Sequence, residues 1–209
     1  MLLMSWMKIF LVLGTQLLES LLQMEDEELV ELARTQDQQG HKAFEVLIER
    51  HNLWLTRLLR GLVSHPHDAE ELVQNTLVRA FFALPKFRGE SSFKTWLRTI
   101  ASREAFNHYR SKGRRREHTT EEMPETSHHA TIDEPELSDF DQLDERQHIE
   151  LALAKVPYPY KEILILRYVE ELSVDEISTT LELGKSATKM WLMRAREFFK
   201  TAYDEDDAC

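Results

Sequence analysis

Between Pro85 and Arg110, Phe87, Phe93, Trp96, Phe106 and Tyr109 are interleaved with Lys86, Arg88, Lys94, Arg98, Arg103 and Arg110. Flat π faces among cations suit single-stranded nucleic acid. Unpaired bases stack on aromatic rings at about 1–3 kcal/mol each, while the basic groups hold the phosphates. Within this stretch the loop from Phe87 to Ser92 carries Arg88, Ser91 and Ser92 around Gly89. A glycine there lets the backbone approach a ligand closely. Phe93 and Trp96 instead fall on an apolar helical stripe and are expected in the core.

A second constellation lies near the C-terminus. Thr188, Leu192, Ala195 and Phe199 recur at helical spacing and should pack inward. The opposite face presents Ser186, Lys189, Met190, Met193, Arg194 and Glu197. Lys and Arg on such a face can reach phosphates or guanine edges in a major groove. The preceding segment opens with Ser173 and Glu176, a capping-box pair, and Gly184 falls between it and the basic helix. Two helices joined by a tight glycine-containing turn, the second basic, form the helix-turn-helix pattern.

A third feature is the wet face of a helix expected over residues 68–84, with Glu70, Glu71, Gln74, Asn75 and Arg79. By spacing alone, its acidic first turn complements the helix macrodipole. Catalytic chemistry finds no footing. The chain has no P-loop, Gly-rich nucleotide motif, triad or zinc motif, so no catalytic residue, metal site or cofactor is expected and the chain reads as a non-enzyme. His118, His128 and His129 lack Cys or paired-carboxylate companions and read as solvated. The single cysteine, Cys209, excludes a disulfide framework and fits a reducing, cytoplasmic setting.

These groups must be positioned by helices. The 209 residues hold six Gly and six Pro, and no alternating strand pattern occurs. Helices are expected at 25–35, 41–63, 68–84, 93–110, 143–155, 159–170, 174–181 and 187–201. Pro66 reads as a break, with Asp68 and Glu71 as a start signal after it. The net charge of −11 is misleading until located. Residues 117–145 contain eleven of the 37 acids and no Lys or Arg, leaving 26 of each sign elsewhere. Residues 86–116 hold ten bases against two acids, so basic charge gathers where nucleic-acid chemistry is expected.

The expected fold is all-α, with two small helical domains joined by a flexible acidic linker. An N-terminal extension (1–23) precedes a first domain (24–116). The linker (117–142) leads to a helix-turn-helix domain (143–203) and an acidic tail (204–209). The extension's apolar run, Ile9 to Leu13, is too short to span a bilayer. It reads as a packed helical extension or as sequence upstream of a start at Met24, with peripheral membrane contact as the alternative and no stable membrane insertion.

The stretch DAEELVQNTLVRAFFALPKFRGESSFKTWLRTIA, residues 68–101, resembles the core-binding and promoter-melting segment of extracytoplasmic-function sigma factors of the sigma-70 family. EILILRYVEELSVDEI (162–177) followed by SATKMWLMRAR (186–196) resembles the family's second domain. The likeness covers roughly 25–112 and 143–203. It implies a subunit that directs core RNA polymerase to promoters, with the β′ clamp and β flap as contacts, promoter DNA as ligand and an anti-sigma factor as a further candidate partner. By the same resemblance Asp68, Glu70, Glu71 and Gln74 become polymerase contacts. Phe87, Arg88, Ser91, Ser92, Lys94, Arg98, Arg103 and Asn107 become the −10 and melting residues, and Ser186, Lys189, Met190, Met193 and Arg194 the −35 readers. Arg103 and Asn107 stand where the family usually has Asn and Asp. Met190 and Trp191 stand where small polar and Arg residues are common. Two other functions compete with this reading. A stand-alone helix-turn-helix repressor would need no melting segment, and a polymerase-binding interaction protein would need no productive DNA contact.

Overall fold

The computed structural model describes residues 18–63, 65–118 and 140–207; the apolar run of the extension and linker residues 119–139 lie outside the described residues. Every regular element among the described residues is helical. They fall into two compact units, one of the described residues up to 55 with 74–100 and one of the described residues in 56–73 and from 101 onward.

The first unit contains α1 (helical residues 18–23), α2 (Asp26–Ala33), most of α3 (Gln38–Leu62), the second half of α4 (Pro66–Ala83) and the first turns of α5 (Phe93–His118). Its core is built on the expected stripes: Leu29, Leu47, Leu55, Ala80, Leu84 and Leu97 are all buried. Residues 18–23 take part, since Leu21 is fully buried. Arg50 ties this entry down, donating to the Leu22 and Met24 carbonyls at 2.9 and 2.7 Å and pairing with Asp26 at 3.0 Å. Gly40 is needed where α3 starts, because a Cβ there would sit 2.7 Å from Thr35 Oγ1 and 2.9 Å from the Leu32 carbonyl.

The second unit contains the last turns of α3, the first of α4, and α5 from Ala101 onward. It also holds α6 (Phe140–Lys155), α7 (Tyr160–Leu164), α8 (Val174–Thr180) and α9 (Lys185–Asp207). α9 packs against α6, α7 and α8. Val156, Ile163, Leu166, Ile177, Leu192 and Ala195 form one buried cluster, with Trp191 on its margin. Helix positions follow the expected spacing closely, except that α5 runs on to His118, past the expected end at 110, and α6 starts at Phe140, inside the expected linker; three further differences have local causes. Pro66 opens α4 instead of breaking the chain before it, since its missing N–H falls where a helix has no acceptor to offer. The expected 159–170 helix is a five-residue α-turn followed by a π-turn over Ile165–Val169, closed by Glu170 N–H donating to the Ile165 carbonyl at 3.0 Å. Residues 204–207, expected as a tail, continue α9.

Candidate nucleic-acid interface

α9 is positioned by its own start and by the turn before it. Ser173 and Glu176 form the expected reciprocal cap on α8, with Glu176 N–H donating to Ser173 Oγ at 3.2 Å and Ser173 N–H to Glu176 Oε2 at 2.8 Å. The turn's left-handed residue is Glu182, at φ 54°; Gly184 adopts no positive φ. Gly184 contributes its carbonyl instead, accepting from Thr188 N at 2.9 Å and Thr188 Oγ1 at 3.2 Å. Lys185, expected within the turn, is the first residue of α9 and pairs with Asp175 at 2.7 Å. Thr188, Leu192 and Ala195 are buried, whereas Ser186, Lys189, Met190, Met193 and Arg194 all lie exposed on the other face. Trp191 packs at the core margin, its ring edge-on to Tyr160 at 5.9 Å.

In the first unit, Ser92 caps α5, its Oγ accepting from Thr95 N–H at 3.2 Å. Gly89 sits at φ 73°, a conformation that favours glycine. Arg88, Ser91 and Ser92 are exposed, with Arg88 facing Glu90 at 3.7 Å. Phe87 is not a loop side chain free to meet a base. It is only 7% exposed, because it packs on Trp96 at 4.8 Å between ring centres. Arg98 is corrected in the same way: it is 5% exposed, its guanidinium 5.4 Å from the Trp54 ring centre. Lys94 lies half-buried over the same ring at 4.8 Å. The electron-rich indole face attracts both cations. Trp54, absent from the sequence-based site, is thus the platform that orients two of its members.

In the second unit, Arg103 and Asn107 stand exposed one turn apart on α5. Arg103 is paired with Glu182 of the helix-turn-helix turn.

Of the expected polymerase contacts, Glu70 and Glu71 are exposed in the second unit and Gln74 is exposed in the first. Asp68 differs, because its half-buried carboxylate is held by Lys112 and lies 3.6 Å from His108 Nε2. Burial alone would raise its pKa, but the Lys112 hydrogen bond and charge, with the charges of His108 and His65, hold it below the ordinary carboxylate value. Asp68 is therefore an internal tie between α4 and α5, not a free contact like Glu70.

The first unit also carries a feature the sequence-based site missed. Phe44, Ile48, Leu77, Val78, Phe81 and Phe82 line an open apolar groove edged by Glu45 and Glu49. Phe82 is 71% exposed and Val78 56%. Apolar surface gathered this way marks a site of association. The signal was in the sequence, since Gln74, Val78 and Phe82 are four apart and so share one strip of α4.

Among the described residues no helix is long and apolar enough to cross a membrane.

Comparison with known proteins gives this geometry its context. The family model for Sigma-70 region 2 matches residues 47–115, and that for Sigma-70, region 4 matches residues 146–199. The chain is 30% identical to the RNA polymerase sigma-H factor of Pseudomonas aeruginosa over 184 residues, covering 85% of this chain and 93% of the relative. It is 30% identical to the ECF RNA polymerase sigma-E factor of Haemophilus influenzae, over 85% and 95% of the two chains. Among solved structures it resembles the sigma factor RpoE in complex with the anti-sigma factor NepR from Bartonella quintana, with TM-score 0.64, 23% identity, and 78% and 98% of the two chains covered. It also resembles CnrH in complex with the cytosolic domain of CnrY, with TM-score 0.59, 23% identity, and 87% and 98% covered. With both regions matched in order and the relatives covered almost end to end, the chain belongs to the sigma-70 family, in its extracytoplasmic-function class, whose members take RNA polymerase to promoters and start transcription.

Proposed function

We propose a division of labour among the helices. The wet strip of α4, with Glu70, Glu71 and Gln74, and the groove at Val78 and Phe82 dock on core RNA polymerase. Arg88, Ser91 and Ser92 of the loop, with Arg103 and Asn107 of α5, hold the unpaired −10 strand. Lys94, Arg98 and Phe87 act from beneath by fixing the course of the loop and α5. The exposed face of α9, through Ser186, Lys189, Met190, Met193 and Arg194, reads the −35 element. The chain then does no bond chemistry of its own and works in the cytoplasm, where the polymerase is.

The observation that carries this reading is the division of α9. One face is buried in the core, and the other presents two cations and two thioethers behind a capped helix and a tight turn. A merely solvated helix needs no such presentation. Reconstitution with core polymerase, followed by run-off transcription on fragmented genomic DNA, tests it. Discrete start sites sharing two spaced elements are expected. Tight core binding without any specific start would leave only an interaction protein.

An anti-sigma factor is proposed as a further partner, because RpoE was solved with one. The apolar groove is the surface for which it would compete with polymerase.

A further inference from the structure

A helix turns about 100° per residue, so the buried Thr188, Leu192 and Ala195 define which side of α9 faces inward. Across the outward side, Lys189, Met193, Ser186, Met190 and Arg194 then follow one another in that order. The two methionines thus stand between the two cations. Met190 lies within about 20° of the direction opposite the core and Met193 within about 50°, whereas Lys189 is about 90° round on one shoulder. Both thioethers are uncovered, with Met190 41% and Met193 53% exposed.

A single exposed apolar side chain would need no explanation. Two at i and i+3 are neighbours, their Cβ atoms about 5–6 Å apart, and they form an apolar strip within an otherwise polar face. They are the sixth and ninth residues of α9, towards the end that a recognition helix brings to the base edges of a major groove. Those edges offer hydrogen-bonding groups to Ser, Lys and Arg, and one apolar group, the 5-methyl of thymine. A flexible thioether gains little from an amino or carbonyl edge but can mould itself over a methyl. We infer that Met190 and Met193 are specificity-determining residues, which select thymine in the −35 element by its 5-methyl group. This rests on the proposed role of α9 as the reader.

The methionine contacts differ in signature from those of the flanking cations. A cation on a phosphate releases counterions, so its contribution falls as salt rises. Burial of a methyl group follows the apolar area removed from water, about fourfold in affinity for one methyl, and carries no counterion release. Thymine and deoxyuridine pair alike with adenine and differ only in that methyl. Exchanging one for the other therefore isolates the apolar contact from every hydrogen bond and every phosphate.

The test uses reconstituted holoenzyme and a promoter located by run-off mapping, whose −35 block is randomised so that the preferred sequences can be selected and read. Each thymine of the preferred block, on either strand, is then replaced by deoxyuridine. Affinity is measured at several salt concentrations for the parent, Met190→Gln and Met193→Gln, with circular dichroism as the check on folding. The parent is expected to lose about threefold to fourfold at one or two thymines, by the same factor at each salt concentration. Glutamine, polar and of similar length, is expected to abolish that loss at the thymine its position faces. A preferred block without thymine, a parent indifferent to deoxyuridine, or a loss that persists in both folded variants overturns the inference. Selection that returns no preferred block at all overturns α9 as the reader, which separates the two failures.

Discussion

Asp68, in the first turn of α4, and Lys112, five turns along α5, hold each other across 44 residues of sequence. The pair closes one end of the α4–α5 packing, which gives Asp68 a role distinct from its neighbours on the wet face. Asp68→Asn is expected to cost about 1 kcal/mol of stability in urea unfolding, as for a partly screened ion pair. Because the folded carboxyl lies below the ordinary value of 3.8, its contribution is full above that pH and disappears as pH falls through the folded value. Loss of stability at pH 7 should therefore shrink toward pH 2. Charge reversal at Glu70 and Glu71 should do the converse, leaving the urea midpoint in place while weakening binding to core polymerase.

Lys189→Ala and Arg194→Ala should each cost about 1–3 kcal/mol of promoter binding if the side chain reaches a base edge. A side chain that touches only phosphate would lose affinity uniformly across sequences, and the slope of log K against log salt would fall by about one. Electrophoretic binding assays at several salt concentrations on matched and shuffled −35 elements distinguish the two. Wild-type promoter activity in the double variant would remove α9 as the reader.

Phe87 cannot be used to test melting, because its ring is part of the core against Trp96. Phe87→Ala should destabilise the first unit by about 3 kcal/mol, as expected for a truncated buried aromatic. Arg88→Ala is the clean variant, since that side chain is exposed. It should retain the parent's stability, core affinity and duplex binding but form fewer open complexes, read by permanganate attack on unpaired thymines. A template with a pre-melted bubble should restore transcription. Unchanged opening on linear DNA would make the loop a connector.

Glu162 makes stability depend on pH in the opposite sense to Asp68. Burial pushes its carboxyl up to about 7 from an ordinary 4.5, against the restraining effect of the Tyr158 and Ser102 hydroxyls. A raised pKa means that the folded chain favours the proton. The resulting stability is full below about 4.5 and is lost as pH rises through about 7. Glu162→Gln, neutral at every pH, should remove most of the decline between pH 5 and 8, a difference on the order of 1–3 kcal/mol. Parallel melting curves for parent and variant over that range would count against it.

What the sequence made legible was mostly local. Ala69, Leu72, Val73, Thr76 and Ala80 are buried because a 3.6-residue period fixes which side of a helix they occupy. Ser173 and Ser92 cap their helices because a hydroxyl two or three residues before an orphan N–H has few better partners. Long-range placement was not legible. Spacing puts Arg98 among the basic residues of a nucleic-acid stretch, but only the folded chain reveals Trp54 beneath it. Asp68 looked like a helix-start signal because its actual partner is 44 residues away. Turn chemistry was half legible: Gly184 marks a short turn between the two helices, while the residue in the left-handed conformation is Glu182.

The uncovered rings of the groove have a consequence for cell economy. A chain that keeps Phe82 and Val78 in water is well behaved only while something covers them. Copies made beyond the supply of covering partners should self-associate or be degraded, as light scattering against concentration would reveal in vitro. Surplus is then self-limiting. The amount of unattached chain is bounded by solubility as well as by synthesis, and overproduction raises promoter traffic only up to that ceiling.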